Sequence, residues 1–188
     1  MNKISILDIV HDTAVDGPGF RTAIYGSGCI HQCTGCHNPL SWDINNGVSY
    51  TINDLLEIVK QDEFSNVTFS GGDPLFQIEG FTELARLIKK ETNKNIWCYT
   101  GFLYESVLRS AILSKILPFI DVLVDGRYIA TLRDEDLQFR GSSNQRIIDV
   151  QNSLTNNRII LWKDKRTLER SYIQRQKVLT FAIPPSWQ

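Results

Sequence analysis

The 188-residue sequence predicts an α/β fold in which a parallel sheet carries its helices on the outside. Three observations lead there. Strand-like and helix-like runs alternate along the chain, which argues for strand, loop, helix units. The residues able to do chemistry fall in loops directly after strand-like runs, where folds of this class build their sites. With 42% hydrophobic residues the chain suits one domain, and at this length it can bury roughly 70% of its unfolded surface.

Taken in order, residues 4–10 and 22–25 read as strands on either side of the tight turn Asp16-Gly17-Pro18-Gly19. A cysteine-rich loop follows. Thr51 has the features of a helix N-cap, with Asp54 three residues on. Ile52, Leu55, Leu56, Ile58 and Val59 then supply an apolar stripe for a helix running to about Lys60. Residues 66–70 form a strand that ends in Gly71-Gly72. Phe81, Leu84, Ala85, Leu87 and Ile88 mark a second helix, residues 95–99 a strand, 104–113 a third helix and 119–124 a further strand. No repeat, low-complexity tract or linker interrupts the chain before about residue 150. Residues 178–183, Val-Leu-Thr-Phe-Ala-Ile, read as a late strand covering a sheet edge.

A formal net charge of -1 gives no reason to expect nucleic acid as a partner. The N-terminal run, residues 1–12, meets a charge too early for a signal peptide. Residues 111–120, the most apolar later stretch, are interrupted by Lys115 and Pro118 and are too short to span a bilayer. These features, with unpaired thiols, point to a reducing compartment, the cytoplasm.

Cys29, Cys33 and Cys36 lie within eight residues in Gly28-Cys29-Ile30-His31-Gln32-Cys33-Thr34-Gly35-Cys36-His37-Asn38. A 4Fe-4S cluster is usually held by four thiolates, and this loop offers three. One iron would stay open to bind a substrate or cofactor, the feature that separates catalytic from closed metal sites. The fourth cysteine, Cys98, sits in the apolar run Ile96-Trp97-Cys98-Tyr99 and reads as an inert residue of a buried strand. Three clustered cysteines cannot pair evenly, so a disulfide framework does not fit. A structural zinc site of three cysteines and one histidine, with His31 or His37 as the fourth ligand, stays open at this point, and with it a zinc-binding interaction module that catalyses nothing.

The other strand-end loops are Ser70-Gly71-Gly72-Asp73-Pro74, Tyr99-Thr100-Gly101 and Val124-Asp125-Gly126-Arg127. Paired glycines before a proline suit an ordinary turn. They also let backbone approach a small molecule closely, with Asp73 as an acceptor for a cation. A ligand that chelates an open iron through an amine and a carboxylate would use such acceptors.

Together, Asp16-Gly17-Pro18-Gly19-Phe20-Arg21, the C-x3-C-x2-C loop ending Cys36-His37-Asn38, Trp42-Asp43 and Ser70-Gly71-Gly72-Asp73-Pro74 resemble the glycyl-radical-enzyme activases of the radical SAM superfamily. Gly35-Cys36-His37-Asn38-Pro39, Tyr99-Thr100-Gly101, Val124-Asp125-Gly126-Arg127 and the run 139–146, Phe-Arg-Gly-Ser-Ser-Asn-Gln-Arg, narrow the resemblance to those serving anaerobic ribonucleoside-triphosphate reductase. It covers residues 4–150. An activase of another glycyl-radical enzyme, such as pyruvate formate-lyase, would share the cluster chemistry and differ in partner.

The resemblance implies a 4Fe-4S cluster on Cys29, Cys33 and Cys36, with S-adenosylmethionine on the fourth iron. One electron from the reduced cluster would break a carbon-sulfur bond of the sulfonium, and the 5′-deoxyadenosyl radical would take a hydrogen atom from a glycine of the partner. No side chain need act as acid or base; the cofactors carry the chemistry. Gly71, Gly72 and Asp73 match the segment that contacts the methionine amine, with Asp73 one methylene shorter than the usual Glu. Gly35 stands where many relatives carry an aromatic against adenine, leaving backbone from Gly35 through Cys36 to His37 to meet that ring. Asp125 and Arg127 align with a segment near the cofactor's ribose and carboxylate, against the plainer reading of a strand-end turn and a surface salt bridge. An electron donor such as a flavodoxin is implied as well.

The resemblance further implies a partial (β/α) barrel, open on one side, over residues 1–155, with residues 156–188 a C-terminal extension packed on the same domain. The short chain agrees, since a closed eight-unit barrel typically needs about 250 residues. His11 reads as structural, His31 and His37 as groups near cluster sulfurs that tune its potential, and Trp42 as packing beside the loop. The run 140–146 suits a partner contact, a cofactor contact or a polar turn. Lys163, Lys165, Arg166, Arg170, Arg175 and Lys177, against Asp164 and Glu169, make a locally basic stretch that suits a solvated face or a docking surface.

Overall fold

The structure, a computed structural model, describes residues 3–163. The expected strand at 178–183 and the basic stretch beyond Lys163 lie outside the described residues.

A hairpin opens the chain: β1 (Lys3–Thr13) and β2 (Arg21–Gly26) pair antiparallel. The cysteine loop and two 3-10 turns lead to β3 (Val48–Thr51), which returns along the other edge of β1. Then come α1 (Ile52–Gln61), β4 (Asn66–Gly71), α2 (Ile78–Glu91), β5 (Ile96–Tyr99), α3 (Tyr104–Arg109), β6 (Val122–Asp125), β7 (Arg146–Asp149) and α4 (Val150–Asn156). They make one seven-stranded sheet in the order β3-β1-β2-β4-β5-β6-β7. Four central strands, β2, β4, β5 and β6, run parallel, while β1, β3 and β7 pair antiparallel. The expected parallel sheet is therefore the centre of a mixed one. A tight turn can join only antiparallel neighbours, and β7 follows β6 with no crossover helix to carry the chain back.

The central strands β4, β5 and β6 alternate between two faces. Val67 and Phe69, Ile96 and Cys98, and Leu123 point to the helices, where Leu55, Leu56 and Val59 of α1 and Phe81, Leu84, Ala85 and Ile88 of α2 complete a buried core. Trp97, Val122 and Val124 point the other way, against Tyr99, Phe139, Ile147 and Trp162. Cys98 is fully buried on the helix side. α1 begins as its sequence predicts, with Thr51 and Asp54 forming a reciprocal capping box.

Three local expectations differ. β3 was not legible, being a short edge strand whose residues are exposed or half-buried. The third helix ends at Arg109 rather than 113, because the Ser110 hydroxyl takes the amide of Leu113 and the chain continues as a 3-10 turn, Leu113–Phe119, around Pro118. β7 and α4 occupy the run after 145 that sequence left undivided; Asp149 caps α4 by accepting the amide of Asn152 at 3.0 Å.

Candidate functional site

Loops from the carboxyl ends of β2, β4, β5 and β6 meet at one end of the sheet. The cysteine loop leaves β2 at Gly26. Its two ends are tied together because the chain turns back through Pro39–Trp42, so that Gly28 and Cys29 donate their amides to the carbonyls of Ser41 and Trp42 at 2.8 and 3.1 Å. Trp42 thus lies beside the loop, as expected for a packing residue.

Cys29, Cys33 and Cys36 are unpaired and half-buried, and Cys36 donates its amide to the Cys33 carbonyl at 3.0 Å. Burial pushes the Cys29 thiol up, while the amides of His31 and Gln32 pull it back toward thiolate and the charges of Asp73 and Cys33 oppose that. Among the described residues, no three His, Cys, Asp or Glu side chains converge closely enough to share one metal ion. Three thiols on one short loop, one of them receiving amide hydrogens, suit a multi-iron cluster, in which each thiolate takes a separate iron and the sulfurs need not crowd around one centre.

Gly71 and Gly72 press against the cysteine loop itself. A Cβ on Gly71, whose φ is +99°, would lie 2.5 Å from the Gly26 carbonyl, and one on Gly72 would lie 2.5 Å from the Gly28 carbonyl. Their second demand is hydrogen bonding: Gly72 and Asp73 donate their amides to the carbonyls of Gly26 and Gly28 at 2.8 and 2.9 Å. The close approach that paired glycines permit is thus to the chain's own backbone, with Gly71 still bordering the cavity described below.

The Asp73 carboxylate is 1% exposed and turned inward. One oxygen accepts the Leu75 amide at 2.9 Å; the other accepts the Thr100 hydroxyl at 2.9 Å and the Gly101 amide at 3.0 Å, with His31 Nε2 also 2.9 Å away but out of line for a directed hydrogen bond. The His31 ring is largely buried and packs edge-on against Phe102. His37 is exposed beside the cavity, and His11 stands away from the loop, 3.9 Å from Asp62.

At the end of β6, Asp125 is completely buried. Arg146 grips it from two nitrogens, at 3.0 and 2.5 Å, and binds Glu105 at 3.0 and 2.7 Å; the Tyr104 amide adds a third donor to Asp125 at 2.7 Å. Arg146 holds the Glu105 carboxyl down to about 2. Arg127 is exposed and donates to the carbonyl of His31 at 2.5 Å. It thus ties the β6 loop to the cysteine loop.

A cavity of about 430 Å³ opens beside these loops on the inner face of the sheet. Its walls bring Tyr25, Ser70 and Gly71 together with His37, Asn38, Tyr99, Tyr128 and the run 139–141. Sequence reasoning missed Tyr25, Tyr99, Tyr128 and Phe139 as a set. They share a cavity only because strand parity and the loops bring them to one face. Tyr25 and Tyr99 donate their hydroxyls to Asp16 and to the Phe139 carbonyl at 2.8 and 2.9 Å. Phe139 adopts the left-handed region, φ +57°, and packs between Trp97 and Trp162. A larger cavity of about 510 Å³ lies on the helix side between α1 and α2, remote from every cysteine of the loop.

The family described as "4Fe-4S single cluster domain" matches residues 15–148. The anaerobic ribonucleoside-triphosphate reductase-activating protein of Escherichia coli (strain K12) is 37% identical over 142 residues, covering 70% of this chain and 89% of its own length. Its namesakes are similar: that of Vibrio cholerae is 36% identical over 139 residues, covering 70% and 88%, and that of Enterobacteria phage T4 is 34% identical over 139, covering 71% and 86%. The structure of QueE from Escherichia coli gives a looser likeness, TM-score 0.48 at 16% identity over 83% of this chain and 92% of that one. The chain belongs to the family of anaerobic ribonucleoside-triphosphate reductase-activating proteins, with a 4Fe-4S single cluster domain.

Proposed function

We propose that this chain is a radical SAM activase that generates the glycyl radical of anaerobic ribonucleoside-triphosphate reductase. The observation that carries it is the loop Cys29 to Cys36, three unpaired thiols on a loop whose continuation, His37 and Asn38, lines a strand-end cavity, in a chain whose relatives bear that name. Cys29, Cys33 and Cys36 would hold a 4Fe-4S cluster, and the donor set fits it: three sulfurs for four irons leave one iron for S-adenosylmethionine. When bound, the pair supplies one-electron cleavage of the sulfonium and a 5′-deoxyadenosyl radical.

The chain's own residues position and shield. Backbone of Gly35, Cys36 and His37 borders the adenosyl side. A Cβ on Gly35 would lie 3.3 Å from Ala130 Cβ and 3.6 Å from Tyr128 Cε1, so the loop after β6 closes on this position and its Tyr128 ring furnishes the aromatic wall. Gly71 borders the cavity, Gly72 and Asp73 fasten that border to the cysteine loop, and Asp125 and Arg127 brace the β6 loop, Asp125 through Arg146 and Arg127 through His31. Hydrogen-bonded Tyr25 and Tyr99 hold the inner wall still.

The sheet is read as a partial barrel whose open side lies between its edge strands, β3 and β7. Residues 1–155 are read as the activase domain and 156–188 as an extension, whose described part, 156–163, lies on that domain. Support comes from Trp162, which packs on Trp97, and from the bridge of Leu161 to Ile148. The thiols need a reducing compartment, the cytoplasm, and a reductant such as a flavodoxin. No helix among the described residues is long and apolar enough to cross a membrane.

Anaerobic reconstitution should give about four irons and four sulfides per chain. Mixed with reductant and S-adenosylmethionine, that protein should raise a glycyl signal by electron paramagnetic resonance on the reductase and none on pyruvate formate-lyase. Cys33→Ala should abolish it. A colourless protein that keeps one zinc after reconstitution would overturn the activase reading in favour of the zinc module.

A further inference from the structure

We infer that His31 is the positioning residue that locks the four strand-end loops into one register, and that S-adenosylmethionine binding depends on this lock. The inference rests on the activase reading for its second half only.

His31 belongs to the cysteine loop after β2, and it is held from each of the other three loops. From the β4 loop, the Asp73 carboxylate lies 2.9 Å from Nε2. From the β5 loop, Phe102 presents its ring with centroids 4.6 Å apart at 75°, and Gly101 lies so close that a Cβ there would stand 2.4 Å from His31 Cδ2. From the β6 loop, Arg127 binds the His31 carbonyl. The side chain is only 11% exposed. A residue between two cluster cysteines that faces inward, and touches every neighbouring loop, sets where those cysteines stand relative to the cavity.

Asp73 then acts through His31, Thr100 and Gly101, since its two oxygens already accept three protein donors. A carboxylate so occupied has little left for a ligand's ammonium group. Its shorter side chain follows from the same geometry, because a buried site 1% exposed gives a longer one nowhere to go without displacing His31.

The test uses His31→Ala, His31→Gln, Gly101→Ala and the double variant His31→Ala/Gly101→Ala. Hydrogen exchange on the anaerobic protein needs no cofactor. His31→Ala should speed exchange of the amides at 29–36 and at 101–103 by about tenfold, as expected when local opening replaces a packed contact. Gly101→Ala should do the same by evicting the ring, and should add nothing in the His31→Ala background, where the ring is gone; this non-additivity is the signature of direct contact. His31→Gln, which returns an amide nitrogen to the reach of Nε2, should restore slow exchange. After reconstitution, His31→Ala should keep wild-type iron content but bind S-adenosylmethionine about tenfold more weakly, and His31→Gln should recover most of that loss.

Asp73→Glu separates this from direct cofactor contact: the lock predicts weaker binding, a direct contact predicts binding at least as tight. Additive effects of the two single variants, unchanged exchange in His31→Ala, or tight binding by Asp73→Glu overturns the inference. If the wild-type protein binds neither cluster nor S-adenosylmethionine while the exchange results hold, the activase reading fails and the lock stands.

Discussion

Asp73 and Asp125 occupy matching places, each at or just past the end of a parallel strand, each shut from solvent, each accepting a main-chain amide, Asp73 from Leu75 in the turn that follows and Asp125 from Tyr104 at the start of α3. Their charges are met differently. Asp125 is gripped by the guanidinium of Arg146, which also binds Glu105, so that corner is a closed ion network. Asp73 is met by two amides and a hydroxyl, with an imidazole alongside, and among the described residues no guanidinium or ammonium reaches it. Its charge is therefore felt nearby, and it helps to raise the thiols of Cys29 and Cys98. One carboxylate fastens the fold; the other fastens the site and sets its local potential.

Removing each should separate these roles. Asp125→Ala leaves Arg146 with Glu105 alone and should cost about 3 kcal/mol in chemical denaturation, toward the low end for a broken buried pair because one partner remains. Asp73→Ala strands three neutral donors, each worth about 1–3 kcal/mol, but also releases a buried carboxylate that no cation among the described residues pairs; it should cost less overall than Asp125→Ala, yet weaken S-adenosylmethionine binding more. If the two variants lose equal stability and equal affinity, the contrast between the corners is wrong.

Acid sharpens the same comparison. The Glu105 carboxyl is held down to about 2 by Arg146, below its ordinary value of 4.5. A lowered folded value stabilises the protein above pH 4.5, and that contribution drains away as pH falls toward 2. Glu105 is 44% exposed, so solvent screening limits the effect to about 1 kcal/mol or less. Denaturation midpoints measured from pH 6 to pH 3 should show this slope in the wild type and lose it in Glu105→Gln.

The smallest effect belongs to Cys98. Its thiol is pushed well up by burial and by Asp73, on the helix face of β5. Cys98→Ala should leave iron and sulfide content unchanged and cost about 1 kcal/mol as a small cavity. Loss of iron in this variant would make Cys98 a fourth ligand.

Much of the fold was legible because its signals are local. Thr51 and Asp54 announce α1 through bonds that close within three residues, and strand parity at 66–70 and 95–99 follows from side chains alternating on a pleated chain. β3 and β7 carry no such signal: β3 is an exposed edge, and β7 pairs antiparallel to β6 only after the 126–145 excursion. The third helix was overread because a hydroxyl at Ser110 competes with a helical carbonyl for one amide, a contest that an apolar pattern does not register.

The site divides in the same way. Sequence alone determined that three cysteines share one loop, since their number and spacing go with them wherever the loop goes. It also determined that the loops after four strands would share one end of the sheet. Tertiary structure decided what the acidic and small residues do there. Gly71 and Gly72 meet the backbone of the cysteine loop, Asp73 points inward, Asp125 belongs to Arg146, and His31 faces the protein. Those outcomes depend on which long-range donor reaches each acceptor first, and the donors lie 21 to 96 residues away, at Arg146, Thr100 and Arg127. Local propensity has no reach over such separations; only the register of neighbouring strands brings these partners together.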